Sequence, residues 1–268
     1  MAYELAGRTV VVTGASSGIG LAAAHGFAQA GSKVVVAARR KDRLDALVTQ
    51  LTEAKREAFA VACDVTLPGQ IENLFAQTRA HFGPVDILVN NAGVGLYGKV
   101  EELTPELLRQ TLELNLVAPL ACIRAALPDL KARGGLVMNV SSVLGKRALP
   151  HYGGYCASKF ALEALSESLR AEVSRDGVAV TVICPGATQS EFRDKVLLAP
   201  GATWTEGGGR EAMSAEEVAE AMVQAARSRS REVVLTFSGR WMWRVNRAAP
   251  ALFDLIAEKM VGSEGTGS

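Results

Sequence analysis

A chain of 268 residues with 49% hydrophobic content can bury a sizeable core, and α/β folds of this size commonly form around one central sheet. Its 29 basic and 28 acidic residues leave a net charge of +1, so no field draws it to nucleic acid and no such partner is expected. Cys63, Cys122, Cys156 and Cys184 are scattered and His25, His81 and His151 lack ligand spacing, which argues against a disulfide framework or a metal site and predicts reduced, buried thiols.

The N-terminal Met-Ala-Tyr-Glu-Leu-Ala-Gly has no basic region followed by a long apolar run, so neither secretion nor a membrane anchor is signalled, and a cytoplasmic location is expected. Apolar, β-branched runs at 9–13, 34–38, 59–62, 87–90, 136–140, 178–183 and 233–236 predict seven buried strands. Between them, Leu44, Leu47, Val48 and Leu51 follow helical spacing, and Ile71, Leu74, Phe75 and Phe82 line one side of another helix. Thr104 before Pro105 predicts an N-cap, and Ser214 with Glu217 a capping box. Strands alternating with helices imply an α/β fold with a doubly wound parallel sheet, here one domain over residues 1–238.

Residues 187–213, rich in Gly, Ala and Thr and without periodicity, are too long for an ordinary connection and are read as a lid. Residues 239–268 form a C-terminal extension and tail. Pro250 starts its final helix, and Leu252, Phe253, Leu255, Ile256 and Met260 make an apolar stripe expected to pack on the body. Trp241 and Trp243 beside Arg240, Arg244 and Arg247 raise a membrane-surface alternative for residues 240–260.

Three features carry chemistry. Gly14-Ala-Ser-Ser-Gly-Ile-Gly20 follows the first strand and opens a helix, so its backbone can approach the phosphates of a dinucleotide at a favourable helix N-terminus. Gly14, Ser16, Ser17, Gly18, Ile19 and Gly20 are therefore candidate cofactor residues in a Rossmann-type domain. At the end of the second strand, a carboxylate would bond a ribose 2′-hydroxyl and repel a 2′-phosphate; Ala38 stands there instead, followed by Arg39 and Arg40, which favours NADP(H) over NAD(H). A solvated start to the next helix, with Lys41 and Arg43, is the bland alternative. Finally, Tyr155 and Lys159 lie one helical turn apart with Ser142 thirteen residues before the tyrosine. An ammonium about 5 Å from a phenol, at an effective dielectric near 20, is worth roughly 3 kcal/mol, enough to lower the phenol by about two pKa units. Such a phenol can act as a general acid or base.

The G-x-x-x-G-x-G spacing together with Ser142 and Tyr155-x-x-x-Lys159 resembles the short-chain dehydrogenase/reductase family over about residues 5–238. The resemblance implies hydride transfer between NADP(H) and a small carbonyl or secondary-alcohol substrate, with Tyr155 moving the proton, Ser142 orienting the oxygen and Lys159 also bonding the nicotinamide ribose. It implies that Asp64, beside Val65, meets the adenine amine, that Asn91, Ala92 and Gly93 line the cofactor, and that Asn115 acts through a helix irregularity whose freed carbonyl holds a water connecting the lysine to solvent. Pro185, Gly186, Thr188 and Ser190 are implied on the nicotinamide side, with Thr188 and Ser190 replacing the family's usual valine and threonine. His151 and Cys156 match no family role. Helices over 105–130 and 155–174 are implied to form a homodimer interface, with a homotetramer common in the family. The three-residue Tyr–Lys spacing disfavours enoyl reductases, and the glycine spacing disfavours sugar epimerases. A 3-oxoacyl-thioester or steroid/retinoid-type reductase is the alternative reaction, and a non-catalytic NADP(H)-binding sensor the alternative class.

Overall fold

The computed structural model describes residues 2–203 and 212–236, together with 239–241, 243, 251 and 254. In chain order the strands are β1 (Thr9–Thr13), β2 (Lys33–Ala38), β3 (Ala58–Ala62), β4 (Ile87–Asn90), β5 (Leu96–Tyr97), β6 (Leu136–Val140), β7 (Ala179–Cys184), β8 (Leu197–Leu198) and β9 (Glu232–Val234). The helices are α1 (Gly18–Gln29), α2 (Lys41–Glu53), α3 (Pro68–Phe82), α4 (Pro105–Leu112), α5 (Ala118–Arg133), α6 (Gly153–Glu172) and α7 (Ala215–Ser228). Seven strands form a parallel sheet in the order β3-β2-β1-β4-β6-β7-β9, the doubly wound arrangement expected from the alternating pattern.

Period-two alternation explains the two core layers. Val10, Val12, Val34 and Val36 face α1, α2 and α7, whereas Val11, Val35, Leu88 and Val137 face the side packed by α3 and α5. Strands buried on both faces read as continuous apolar runs, which is why each was visible in the sequence. Both capping expectations hold: Leu107 N donates to Thr104 Oγ1 at 3.3 Å, while Ser214 and Glu217 exchange bonds of 3.1 and 2.8 Å. All four cysteines are buried and free.

The run Pro105–Arg133 is long and apolar enough, by length and composition, to cross a membrane. Its apolarity has a use within the fold, since Cys122, Ile123, Ala126 and Leu130 are buried in the core and Asn115 is fully buried in the site. Two features went unforeseen. The last strand of the sheet begins earlier than the 233–236 expected, and β5 pairs with β8 to form a separate parallel two-stranded sheet. The extension helix from Pro250 and its apolar stripe lie outside the described residues, as do 204–211 of the lid.

Candidate active site and cofactor groove

The glycine loop sits at the C-terminal end of β1, where the sheet order reverses between β1 and β4. Gly14 and Gly18 have φ values of 67° and 54°, a left-handed region that glycine enters without a side-chain clash. A Cβ on Gly14 would lie 2.9 Å from Ala92 Cα, and one on Gly20 would lie 2.4 Å from both Gly14 O and Asn91 Nδ2. The loop is thus pressed against the strand-four turn, as a cradle for a dinucleotide requires. Ser17, at the N-cap of α1, makes no side-chain capping bond, so the first-turn amides remain available to an external phosphate. These residues fit an NAD(P) dinucleotide.

The strand-four turn is held by side chains rather than merely lying nearby. Asn91 Nδ2 donates to Thr13 O at 3.0 Å, and Thr13 Oγ1 accepts from Asn91 N and Ala92 N at 3.1 and 3.2 Å. Gly20→Ala should therefore displace both segments at once, lowering cofactor affinity by about 100-fold or more and costing about 1 to 3 kcal/mol of stability. Cofactor titration beside thermal melting checks this; affinity within about threefold of wild type would show that the loop tolerates the methyl group.

At one end of the groove, Tyr155, Ser142 and Lys159 are all buried, and the Ser142 hydroxyl acts on the Tyr155 phenol to favour its ionised form. Lys159 Nζ lies 5.7 Å from the Tyr155 ring centroid and donates to Val140 O at 2.9 Å. The sequence led us to expect a phenol lowered by this ammonium; the fold does otherwise. Burial is the largest influence and raises Tyr155, opposed by the neighbouring Ser142 hydroxyl. The ammonium cannot dominate because burial also pushes Lys159 down to about 8, so the lysine releases its proton before the raised phenol would ionise.

Asn115 occupies a π-helical turn, Glu113–Val117, between α4 and α5. Such a turn shifts the i→i−4 bonding of a helix, which is the irregularity implied at this position. The side chain is clamped: Asn115 Nδ2 donates to Val94 O at 2.9 Å and Ser158 Oγ at 3.0 Å, while Oδ1 accepts from Val94 N at 2.9 Å. A Cβ on Gly93 would lie 3.0 Å from Asn115 Oδ1 and 3.6 Å from Lys159 Nζ, so Gly93, Asn115 and Lys159 meet at one point.

A buried polar network backs the serine. Ser141 Oγ donates to Glu163 Oε1 at 2.8 Å, and Lys146 Nζ bridges Glu163 and Glu232 at 2.5 and 2.7 Å. Burial raises Glu163, with Lys146 opposing it. The turn carrying Ser142 is thereby tied to α6 and β9.

The other expected residues fall into place unevenly. Pro185 O accepts from Val143 N at 2.9 Å, Thr188 bridges Met213, and a Cβ on Gly18 would come within 2.9 Å of Ser190 Cβ. Asp64 holds Thr66 through N and Oγ1 at 3.0 and 2.7 Å, beside buried Val65. Arg40, rather than exposed Arg39, reaches the loop: its Nη2 donates to Ser16 Oγ at 3.0 Å and Ser17 Oγ at 2.9 Å. His151, at φ 65°, stacks on Tyr97 with 5.4 Å between ring centroids.

Sequence reasoning missed three participants. Phe192 stands 6.0 Å from Tyr155, ring centre to ring centre. The β5–β8 pair fastens the lid beside that ring, and Gly98 permits it because any Cβ there would meet Ala199 Cβ at 2.2 Å. Glu191 bonds Arg40 Nη1 at 2.9 Å and also Arg43, and these arginines hold its carboxyl low, at about 2. The glycines flanking Leu96-Tyr97 were a usable signal for the small sheet; a lone glutamate in an aperiodic loop gave none.

A parallel sheet with a glycine loop at its switch point, and a Ser–Tyr–Lys set at the next strand ends, defines a dinucleotide-dependent oxidoreductase. Residues 8–200 match the short chain dehydrogenase family, and the chain belongs to that family. A "Dehydrogenase/reductase SDR family protein 7-like" from Anopheles gambiae is 34% identical over 271 residues, covering 96% of this chain and 84% of that protein. Among solved structures, an alcohol dehydrogenase from the archaeon Thermococcus sibiricus, complexed with 5-hydroxy-NADP, is 31% identical with a TM-score of 0.76, over 85% of this chain and 95% of its own. A short-chain dehydrogenase/reductase from Burkholderia phymatum in complex with NAD is 26% identical with a TM-score of 0.84, over 93% and 96% of the two chains. The relatives thus take both forms of the cofactor.

Proposed function

We propose that the protein is an NADP(H)-dependent carbonyl reductase or secondary-alcohol dehydrogenase. The observation that carries the cofactor assignment is Arg40 fixed on Ser16 and Ser17 at the end of β2, where Ala38 supplies no carboxylate. When bound, the nicotinamide supplies hydride in one direction and accepts it in the other. Tyr155 donates its proton to the carbonyl oxygen during reduction and recovers one during oxidation, while Ser142 hydrogen-bonds the same oxygen. Burial keeps the phenol protonated at neutral pH, which suits reduction. Phe192, 6.0 Å from Tyr155 ring centre to ring centre, gives the chain an aromatic surface beside the reacting residue, so apolar cyclic ketones should outperform sugars.

A spectrophotometric screen of aldehydes, cyclic ketones, steroids, sugars and 3-oxo esters tests the reaction class. A non-catalytic sensor would bind NADPH without oxidising it in any of them. For the cofactor, NADPH should be preferred to NADH, and Arg40→Ala should reduce that preference about ten- to hundredfold, mainly through KM, the worth of a charge-assisted bond remote from the chemistry. Ala38→Asp should push selectivity further toward NADH by repelling the 2′-phosphate. Equal wild-type kcat/KM values for the two cofactors would defeat the NADP(H) assignment.

A further inference from the structure

The guanidinium groups that suit a phosphate already hold an anion of the chain itself. Arg40 Nη1 meets Glu191 Oε2 at 2.9 Å, Arg43 bonds Glu191 Oε1, and Lys195 Nζ lies 3.4 Å from Oε2. Glu191 follows Ser190, whose Cβ lies against Gly18, so the carboxylate pins the lid to the glycine loop at the end of β2. A cavity of about 350 Å³ opens at the same place, lined by Ser16, Ser17, Gly18, Arg43, Ser190 and Glu191 among others.

We propose that Glu191 is an internal competitor for the 2′-phosphate of NADP(H): the carboxylate and the phosphate share Arg40 and Arg43, and binding exchanges one anion for the other. This rests on the NADP(H) assignment above. Two arguments support exchange over coexistence. A carboxylate and a phosphate on the same two guanidinium groups would be neighbouring like charges, which repel unless one withdraws. The ion pairs are also easy to break, because the Arg40, Arg43 and Glu191 side chains are 30%, 44% and 34% exposed and pairs of that kind are individually weak. The exchange releases an anchor of the lid, so the phosphate end of the cofactor would control access along the groove, and NADH, lacking the phosphate, would leave the anchor in place.

The test is calorimetric titration of 2′,5′-ADP and 5′-AMP into wild-type, Glu191→Gln and Glu191→Ala proteins, with thermal melting to verify folding. Both variants should bind 2′,5′-ADP about three- to tenfold more tightly than wild type, the amount that two half-exposed ion pairs are worth, with 5′-AMP affinity unchanged. Trypsin should also cut faster after Arg193 and Lys195 in the variants, reporting the freed lid. Unchanged or weaker 2′,5′-ADP binding in both folded variants would overturn the competition and show that Glu191 instead pre-positions the arginines. Wild-type protein that cannot distinguish the two nucleotides would defeat the NADP(H) assignment. If removing the glutamate then created the distinction, the competitor would stand; if it did not, both ideas would fall.

Discussion

Tyr155→Phe should lower kcat by about 100- to 10,000-fold, the usual loss for a well-placed general acid. Cofactor affinity should stay within about threefold of wild type. The two effects separate because the substitution removes a single hydroxyl from a ring that stays packed near Phe192, 6.0 Å away centre to centre. Neither the glycine loop nor the Thr13–Asn91 clamp depends on that hydroxyl. Ser142 keeps the bond it accepts from Leu144 N at 3.1 Å, so the turn should hold its shape. Steady-state turnover beside fluorescence titration of NADPH makes the comparison, and a variant retaining more than half the wild-type kcat would remove Tyr155 from the acid–base role.

The legibility of this fold follows from its burial pattern. Strands covered on both faces read as near-continuous apolar runs, so Thr9–Thr13 and Leu136–Val140 announce themselves without an alignment. Motifs confined to one loop or one helix turn were equally visible, because the constraint is local: glycine where no Cβ fits, and a lysine four residues after a tyrosine. What stayed hidden depends on segments far apart in sequence. Glu191 meets Arg40 across 151 positions, and Leu96-Tyr97 meets Leu197-Leu198 only after the lid has folded back. The direction of the Tyr155 shift was misjudged for a related reason. Spacing reveals which charge stands beside the phenol, but desolvation is set by everything packed around the pair, including Val140 and the strand ends.

Lys159→Met should abolish most turnover while making the protein by itself more stable. The ammonium is buried with Val140 O as its hydrogen-bond acceptor, and burial brings it from 10.5 to about 8, equivalent to about 3 kcal/mol spent on keeping the charge inside. Methionine fills similar volume without that charge. Leaving Val140 O without its donor opposes the gain by about 1 to 2 kcal/mol, so a net stabilisation of about 1 to 2 kcal/mol is expected at pH 7. Turnover should nevertheless fall by about 100-fold or more, because the charge lies beside the phenol proposed to move the proton. The pH dependence supplies a second readout. Because the folded pKa is the lower one, the unfolded chain holds this proton between pH 8 and 10.5 while the folded chain has released it, so wild-type stability rises with pH across that window on account of this group. The variant has no such proton, and the cysteines and Tyr155 are common to both proteins, so the stability difference should be largest near pH 7 and shrink towards pH 10.5. Denaturant unfolding of both proteins at a series of pH values measures this. A variant less stable than wild type at pH 7, with a difference that does not change with pH, would mean that the Lys159 ammonium stabilises the fold and that its burial is not a cost borne for catalysis.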